Sequence, residues 1–295
     1  MILGMINPVY GGIAVSTLSW SFFDLSRKKL SVELNPIPVV AWLMLFQGFV
    51  FLGLTFLDVW QVPIGSYWIP FLASVALNAL ANVWFVESIS LAPFSLAIPI
   101  LSLTPVFSSM GGLLVLQESL SLRQATGIAV VVGATLAIGY FGTTSLKESE
   151  VTNPRAVRKG LFLMALVALL FALTPVVDKL CLQSMPSSEH GMLQCFATWA
   201  CLAGWLAVRG GHVPFSRIRA NLVWFLAAVV FVSIAVYFQF WSIKSISVGV
   251  FEALKRSGNL ITALVLGYFV FKEAFTISKL LLVCVMGAGI FILLT

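Results

Sequence analysis

The sequence predicts an all-α integral membrane protein with ten transmembrane helices, arranged as two inverted five-helix repeats. Three observations predict it: composition, the spacing of apolar windows, and similarity between the halves. Hydrophobic residues make up 60% of the 295 positions and charged residues only 9%. Mean hydropathy is +1.04. A soluble domain needs roughly a quarter of its residues charged, so this composition excludes one.

A helix needs about 20 mostly apolar residues to cross a bilayer. Such windows fall near 8–27, 37–57, 67–89, 92–116, 121–142, 158–182, 190–208, 220–243, 248–271 and 275–294. Residues 1–142 form the first predicted five-helix repeat, 143–156 a polar linker with the turn pair Asn153-Pro154, and 157–295 the second repeat. The first window is expected to be a permanent span. Met1 to Pro8 lacks a basic n-region, and no small-residue cleavage site follows.

A shift of 155 positions lays Glu118 on Glu273, Gly112 on Gly267, Ser102 on Ser257 and Ser90 on Ser245. In both halves an apolar helix runs to the carboxylate, a short turn follows, and a last apolar helix begins. An odd number of spans per repeat inverts the second half in the membrane. Inverted repeats are the organisation of transporters with a site at the repeat interface.

The net charge of +6 does not point to nucleic acid, because Lys and Arg in membrane-protein loops mainly record insertion topology. Most of them, from Arg27-Lys28-Lys29 to Lys279, follow odd-numbered spans. Only Arg123, Lys179 and Lys244 follow even-numbered ones. That bias places both termini outside. Cys181, Cys195, Cys201 and Cys284 lie in or beside apolar spans without paired spacing, and read as small buried hydrophobes. His190 and His212 both lie near loops. Neither a metal centre nor a cofactor is expected.

The run Ser90-Leu-Ala-Pro-Phe-Ser-Leu-Ala-Ile-Pro-Ile-Leu-Ser-Leu-Thr-Pro105, continuing to Gln117-Glu118-Ser-Leu-Ser, resembles the EamA-type repeat of the drug/metabolite transporter superfamily. So does Ser245-Ile-Ser-Val-Gly249 through Lys272-Glu273-Ala-Phe-Thr. The resemblance implies export or exchange of small metabolites through a central cavity lined by helices 3, 4, 8 and 9. It also implies cytoplasmic termini, against the charge bias. A bacterial inner membrane fits the short, tail-free chain.

Glu252, Lys255 and Arg256 are the most informative residues. They lie roughly 6–12 Å into span 9 at 1.5 Å per residue, where each ionised side chain alone costs at least ~2.5 kcal/mol. Arg256 can grip a carboxylate or phosphate with its planar fork, and Lys255 adds a point charge. The pair resembles one at this place in plastid phosphate translocators. The competing expectation is that Glu252 neutralises a cation three or four residues on, making a structural network. Their repeat counterparts Ala97, Ile100 and Leu101 carry no charge.

Pro99 and Pro105 are expected to kink span 4, with Ser102, Thr104, Ser108 and Ser109 available to freed carbonyls. Asn78 and Asn82 share a face of span 3. Their counterparts Ser233 and Tyr237 are polar too, with Gln239 and Trp84 nearby. Either interhelical hydrogen bonding or a cavity wall explains them. Trp20, Asp24, Gln47, Asp178 and Gln194 are weaker candidates, with Asp24 and Asp178 read as boundary residues and Tyr67 as part of an interfacial aromatic belt. Glu118 and Glu273 are expected to cap the helix start that follows each.

These residues together predict a secondary transporter of a small organic metabolite, an anion or an amino acid, working by alternating access in contact with membrane lipid. Proton or counter-substrate coupling is expected, with Glu252 as the deep carboxylate for it. Efflux of amphipathic or cationic drugs is the alternative. An intramembrane enzyme is the rival outside transport, and no His-Glu-x-x-His, Gly-x-Ser-x-Gly or Walker-type loop supports it.

Overall fold

Long apolar runs with no water to satisfy their backbone must close every hydrogen bond within the segment, so they become helices. In the computed structural model, residues 8–31, 36–63, 65–92, 97–143, 154–209, 215–271 and 277–294 are described, and among them no strand occurs. The helices are α1 (Pro8–Ser31), α2 (Pro36–Thr55), α3 (Gly65–Leu91), a 3₁₀ stretch (Ile98–Leu103), α4 (Thr104–Val115), α5 (Leu122–Thr143) and α6 (Pro154–Cys181). They continue with α7 (Ser187–Val208), the short α8 (Phe215–Ala220), α9 (Leu222–Ile243), α10 (Val248–Phe271) and α11 (Ile277–Leu294). Among the described residues, α2, α3, α6, α7 and α9 are long and apolar enough to cross a membrane.

The structure departs from the sequence reading in three places. Span 4 is not one α-helix: the 3₁₀ stretch gives way to α4 at Thr104-Pro105. Pro105 has no amide hydrogen to give the Leu101 carbonyl one turn back. The Thr104 hydroxyl and the Thr104 amide donate to that carbonyl instead. Ser108 and Ser109 continue the pattern, donating to the carbonyls of Thr104 at 2.7 Å and Pro105 at 2.6 Å. The second departure is at α6, which begins inside the predicted linker with Pro154 at its first position. Proline suits that position because its missing amide would have no intrahelical partner. The third is α8, which occupies part of what was read as a loop.

The fold divides into two compact units, residues 1–82 with 177–245 and residues 83–176 with 246–295. In the first, α1 packs on α9 and α2 on α7. Its core joins Phe23, Leu30, Val39 and Leu43 to Ile218, Phe225 and Val229. In the second, α4 packs on α10 and α5 on α11, while Ala92, Ala97 and Leu101 meet Met164, Val167 and Ala168 of α6. Both α3 and α6 contribute residues to each unit.

Helix directions follow from which residues meet. A Cβ on Gly127 would touch Leu293, and one on Gly289 would touch Val131, so α5 and α11 run antiparallel. In α4 and α10, Thr104 meets Arg256 and Ser109 meets Gly249, again antiparallel. In α2 and α7, Gly48 faces Phe196 and Phe51 faces Gly191, with the same sense. Gly127 and Gly289 serve the close approach of α5 and α11, whereas Gly133 and Gly287 meet nothing within 4 Å among the described residues. The four cysteines are free, and Cys201 and Cys284 are exposed, not buried as the sequence suggested.

Candidate functional site

In the second unit the ionisable groups of α10 are arranged by helix period. Glu252 and Lys255 are three apart and therefore on one face. The Lys255 ammonium donates to Oε1 of Glu252. Glu252 is 1% exposed, and its other oxygen is buried without a hydrogen-bond partner among the described residues. Lys255 also stands 5.4 Å from the Phe251 ring centroid, a cation–π distance. Arg256 points to a different helix: its Nη2 donates to the Thr104 hydroxyl at 3.2 Å. The Thr104 oxygen thus accepts from a guanidinium while its hydrogen goes to Leu101. The proline break in span 4 creates the acceptor that orients Arg256.

Two devices set α10 against its partner. A Cβ at Gly249 would lie 2.0 Å from Ser109 Oγ and 2.9 Å from Ser109 Cα, so only glycine fits. The Val248 amide, at the start of α10, donates to Oε2 of Glu118 at 3.0 Å. Glu118 is therefore a cap of α10. The start of α5 is closed locally by Ser121 and Gln124. The Ser121 amide donates to the Gln124 side chain at 3.0 Å, and the Gln124 amide to Ser121 Oγ at 3.2 Å. Gln117, with φ of 54°, turns the chain after α4 so that the Glu118 amide reaches the Gly112 carbonyl at 3.0 Å. Glu118→Ala is expected to cost about 1 kcal/mol by loss of the cap and its charge–dipole attraction, whereas Glu118→Gln keeps an acceptor and loses less. Thermal midpoints of the two purified variants check the order. Glu273 lies outside the described residues.

Ser102 is buried in the 3₁₀ stretch, and Trp84 packs at the edge of the Ala97–Met164 core. Five of the predicted site residues, Trp84, Ser102, Glu252, Lys255 and Arg256, thus belong to the second unit. Asn78, Asn82, Tyr237 and Gln239 belong to the first. There Asn82 Nδ2 donates to both the Asn78 carbonyl and Asn78 Oδ1 at 2.9 Å, so the two amides are engaged with each other. Gln239 accepts from the Trp20 indole at 3.2 Å. Tyr237 packs with Phe51, Met192 and Cys195.

The first unit also holds a polar cluster that sequence reasoning missed. Oδ1 of Asp178 accepts from Ser74 Oγ at 2.5 Å, from Gln194 Nε2 at 2.8 Å, and lies 3.3 Å from His190 Nε2. His190 Nδ1 is 3.0 Å from the Tyr67 hydroxyl. Asp178 and His190 both stand near helix ends, as the sequence suggested, but they are buried there. Their side chains are 2% and 0% exposed, so Glu252 is not the only deep carboxylate. A signal for this was present in the sequence. Asp178 stands three residues before the end of α6 and His190 three after the start of α7, so the short turn between those helices sets them level.

The sequence pattern of the EamA-like transporter family matches the chain twice, over residues 8–140 and 158–295. No curated protein matches it. A solved structure described only as "Crystal structure of protein" superposes with a TM-score of 0.77 at 16% identity, covering 95% of this chain and 94% of the other. At that identity the likeness is one of fold.

Proposed function

The chain belongs to the EamA-like transporter family of the drug/metabolite transporter superfamily, an integral multi-pass membrane protein, and from that premise we propose that it is a secondary transporter of small organic anions. Carboxylates, phosphorylated metabolites and amino acids are its substrate class. The ten-span, inverted-repeat reading is supported by the antiparallel pairing of α2 with α7, α4 with α10 and α5 with α11. Each of those pairs joins equivalent helices of the two family matches. A two-fold axis lying in the membrane plane produces that sense, as in transporters built from inverted-topology repeats. Bacterial inner-membrane placement is part of the same proposal.

One observation carries the substrate class. Glu252 engages Lys255, while Arg256 on the next position is oriented by the neutral hydroxyl of Thr104. The trio holds two cations and one anion, and the guanidinium is the group suited to a planar anionic ligand. Its placement beside the break in span 4 puts a fixed donor fork where the backbone is irregular. Irregular backbone at membrane depth is tolerated against protein or a wet cavity.

The test is ligand-dependent thermal stabilisation of the detergent-purified protein. The probes are glucose 6-phosphate, malate, threonine and tetraphenylphosphonium. Binding to the native state stabilises by RT ln(1 + [L]/Kd), about 2.7 kcal/mol at a hundredfold excess over Kd. An anion or threonine is expected to raise the melting temperature of the native chain but not of Lys255→Ala/Arg256→Ala. If tetraphenylphosphonium stabilises both proteins equally and the anions neither, the chain is an exporter of lipophilic cations and the trio is structural.

A further inference from the structure

The Asp178–His190 cluster in the first unit has no part in the reading above, and its chemistry is specific. One Asp178 oxygen collects the Ser74 hydroxyl, the Gln194 amide and the imidazole Nε2. With Nε2 as a donor, neutral His190 has Nδ1 free to accept, and Tyr67 supplies the hydroxyl at 3.0 Å. In that state the cluster holds one buried negative charge, solvated by three donors. A proton arriving at Nδ1 forms an N–H bond there, and the phenol turns so that its oxygen accepts. Both imidazole nitrogens then donate, and imidazolium and carboxylate sum to zero charge. No heavy atom need move between the two states. Imidazole is the side chain whose two nitrogens can exchange donor and acceptor roles in this way.

Other ionisable groups surround the cluster. From α3 comes Tyr67, and from α6 come Cys181 and, next along the helix, Lys179. From α7 come Glu189 and Cys195, and α9 presents the Phe240 ring at 5.1 Å. Towards the helix ends lie Asp58, bonded by Ser188, and Glu189, which accepts the Gln61 amide at 2.9 Å. Lys244 reaches the Met185 carbonyl at 3.5 Å in the same region. Asp178 and His190 are each about 5 Å from their helix ends at 1.5 Å per residue.

We propose that His190 and Asp178 form a proton-binding site loaded from the side of the membrane bearing the α6–α7 turn, and that transport is linked to its occupancy. The link to transport rests on the function proposed above; the proton site does not.

The chain has two histidines, so His212→Gln leaves His190 as its one imidazole. In lipid nanodiscs with ring-labelled histidine, measured from pH 8 down to 5, the His190 nitrogens are expected to change from the neutral to the doubly protonated pattern. Asp178→Asn is expected to lower proton affinity about tenfold or more, the effect of removing an opposite charge at this distance. One unchanging pattern across that range overturns the proposal, because the cluster is then structural. The second readout is counterflow of glucose 6-phosphate and threonine in proteoliposomes from pH 5.5 to 8. The native pH profile is expected to flatten at least fivefold in His190→Gln or Asp178→Asn, whichever reconstitutes. An identical profile in the variant overturns the linkage. Exchange of neither probe counts against the substrate class above, and the titration still decides the proton site.

Discussion

Glu252→Leu is expected to destabilise the protein by about 3–5 kcal/mol, because it leaves the Lys255 ammonium in a low-dielectric site without its carboxylate. Glu252 is 1% exposed and Lys255 has a side-chain exposure of 13%, so water offers little relief. The double variant Glu252→Leu/Lys255→Met removes both charges and keeps the volume. It is expected to recover most of the loss, as replacements of buried ion pairs by apolar groups commonly do. Thermal midpoints for the two single variants and the double variant form a cycle, and a coupling near zero would show that the pair is not energetically joined. The same double variant separates structure from substrate binding. If Arg256 is the principal anion ligand, the stabilised double variant still responds to the anionic probes.

Gly249→Val is the second large effect, and it acts through backbone geometry instead of charge. The first carbon of any side chain would sit 2.9 Å from Ser109 Cα and closer still to its hydroxyl. A flexible side chain can turn away, but a Cα cannot move without displacing α4. Overpacking of a tight core costs about 1–3 kcal/mol. Here α4 also carries Thr104, so the displacement is expected to loosen the Arg256 contact and weaken the anion response. Gly133→Val, where nothing lies within 4 Å among the described residues, is the control and is expected to change the melting temperature little. Equal effects at the two positions would contradict the α4–α10 contact.

Much of this was legible because hydrophobicity is local. Each apolar window found a helix, since a bilayer leaves the backbone few alternatives. The break in span 4 was legible for the same reason, because Pro105 removes a donor wherever it stands. What escaped was long-range. Glu118 was recognisable as a cap, but its client lies 130 positions away at Val248, and no local pattern names a partner at that distance. Asp178 looked like a helix-end carboxylate beside Lys179; only the pairing of α3 with α6 and α7 surrounds it with Ser74, Tyr67 and Gln194. Asn78 and Asn82 were correctly seen to share a face, but periodicity does not reveal that one amide satisfies the other.

The antiparallel pairing of equivalent helices also bears on ancestry. A five-helix segment whose second, fourth and fifth helices each require a reversed copy of themselves describes half of an assembly. On the proposed inverted-repeat reading, the chain is the covalent form of a head-to-tail duplication of the two family matches, 8–140 and 158–295. That reading expects a single half, before fusion, to insert in both orientations and associate as an antiparallel dimer. Two separately encoded halves, cut within 143–156 and produced together, should still find each other in the membrane.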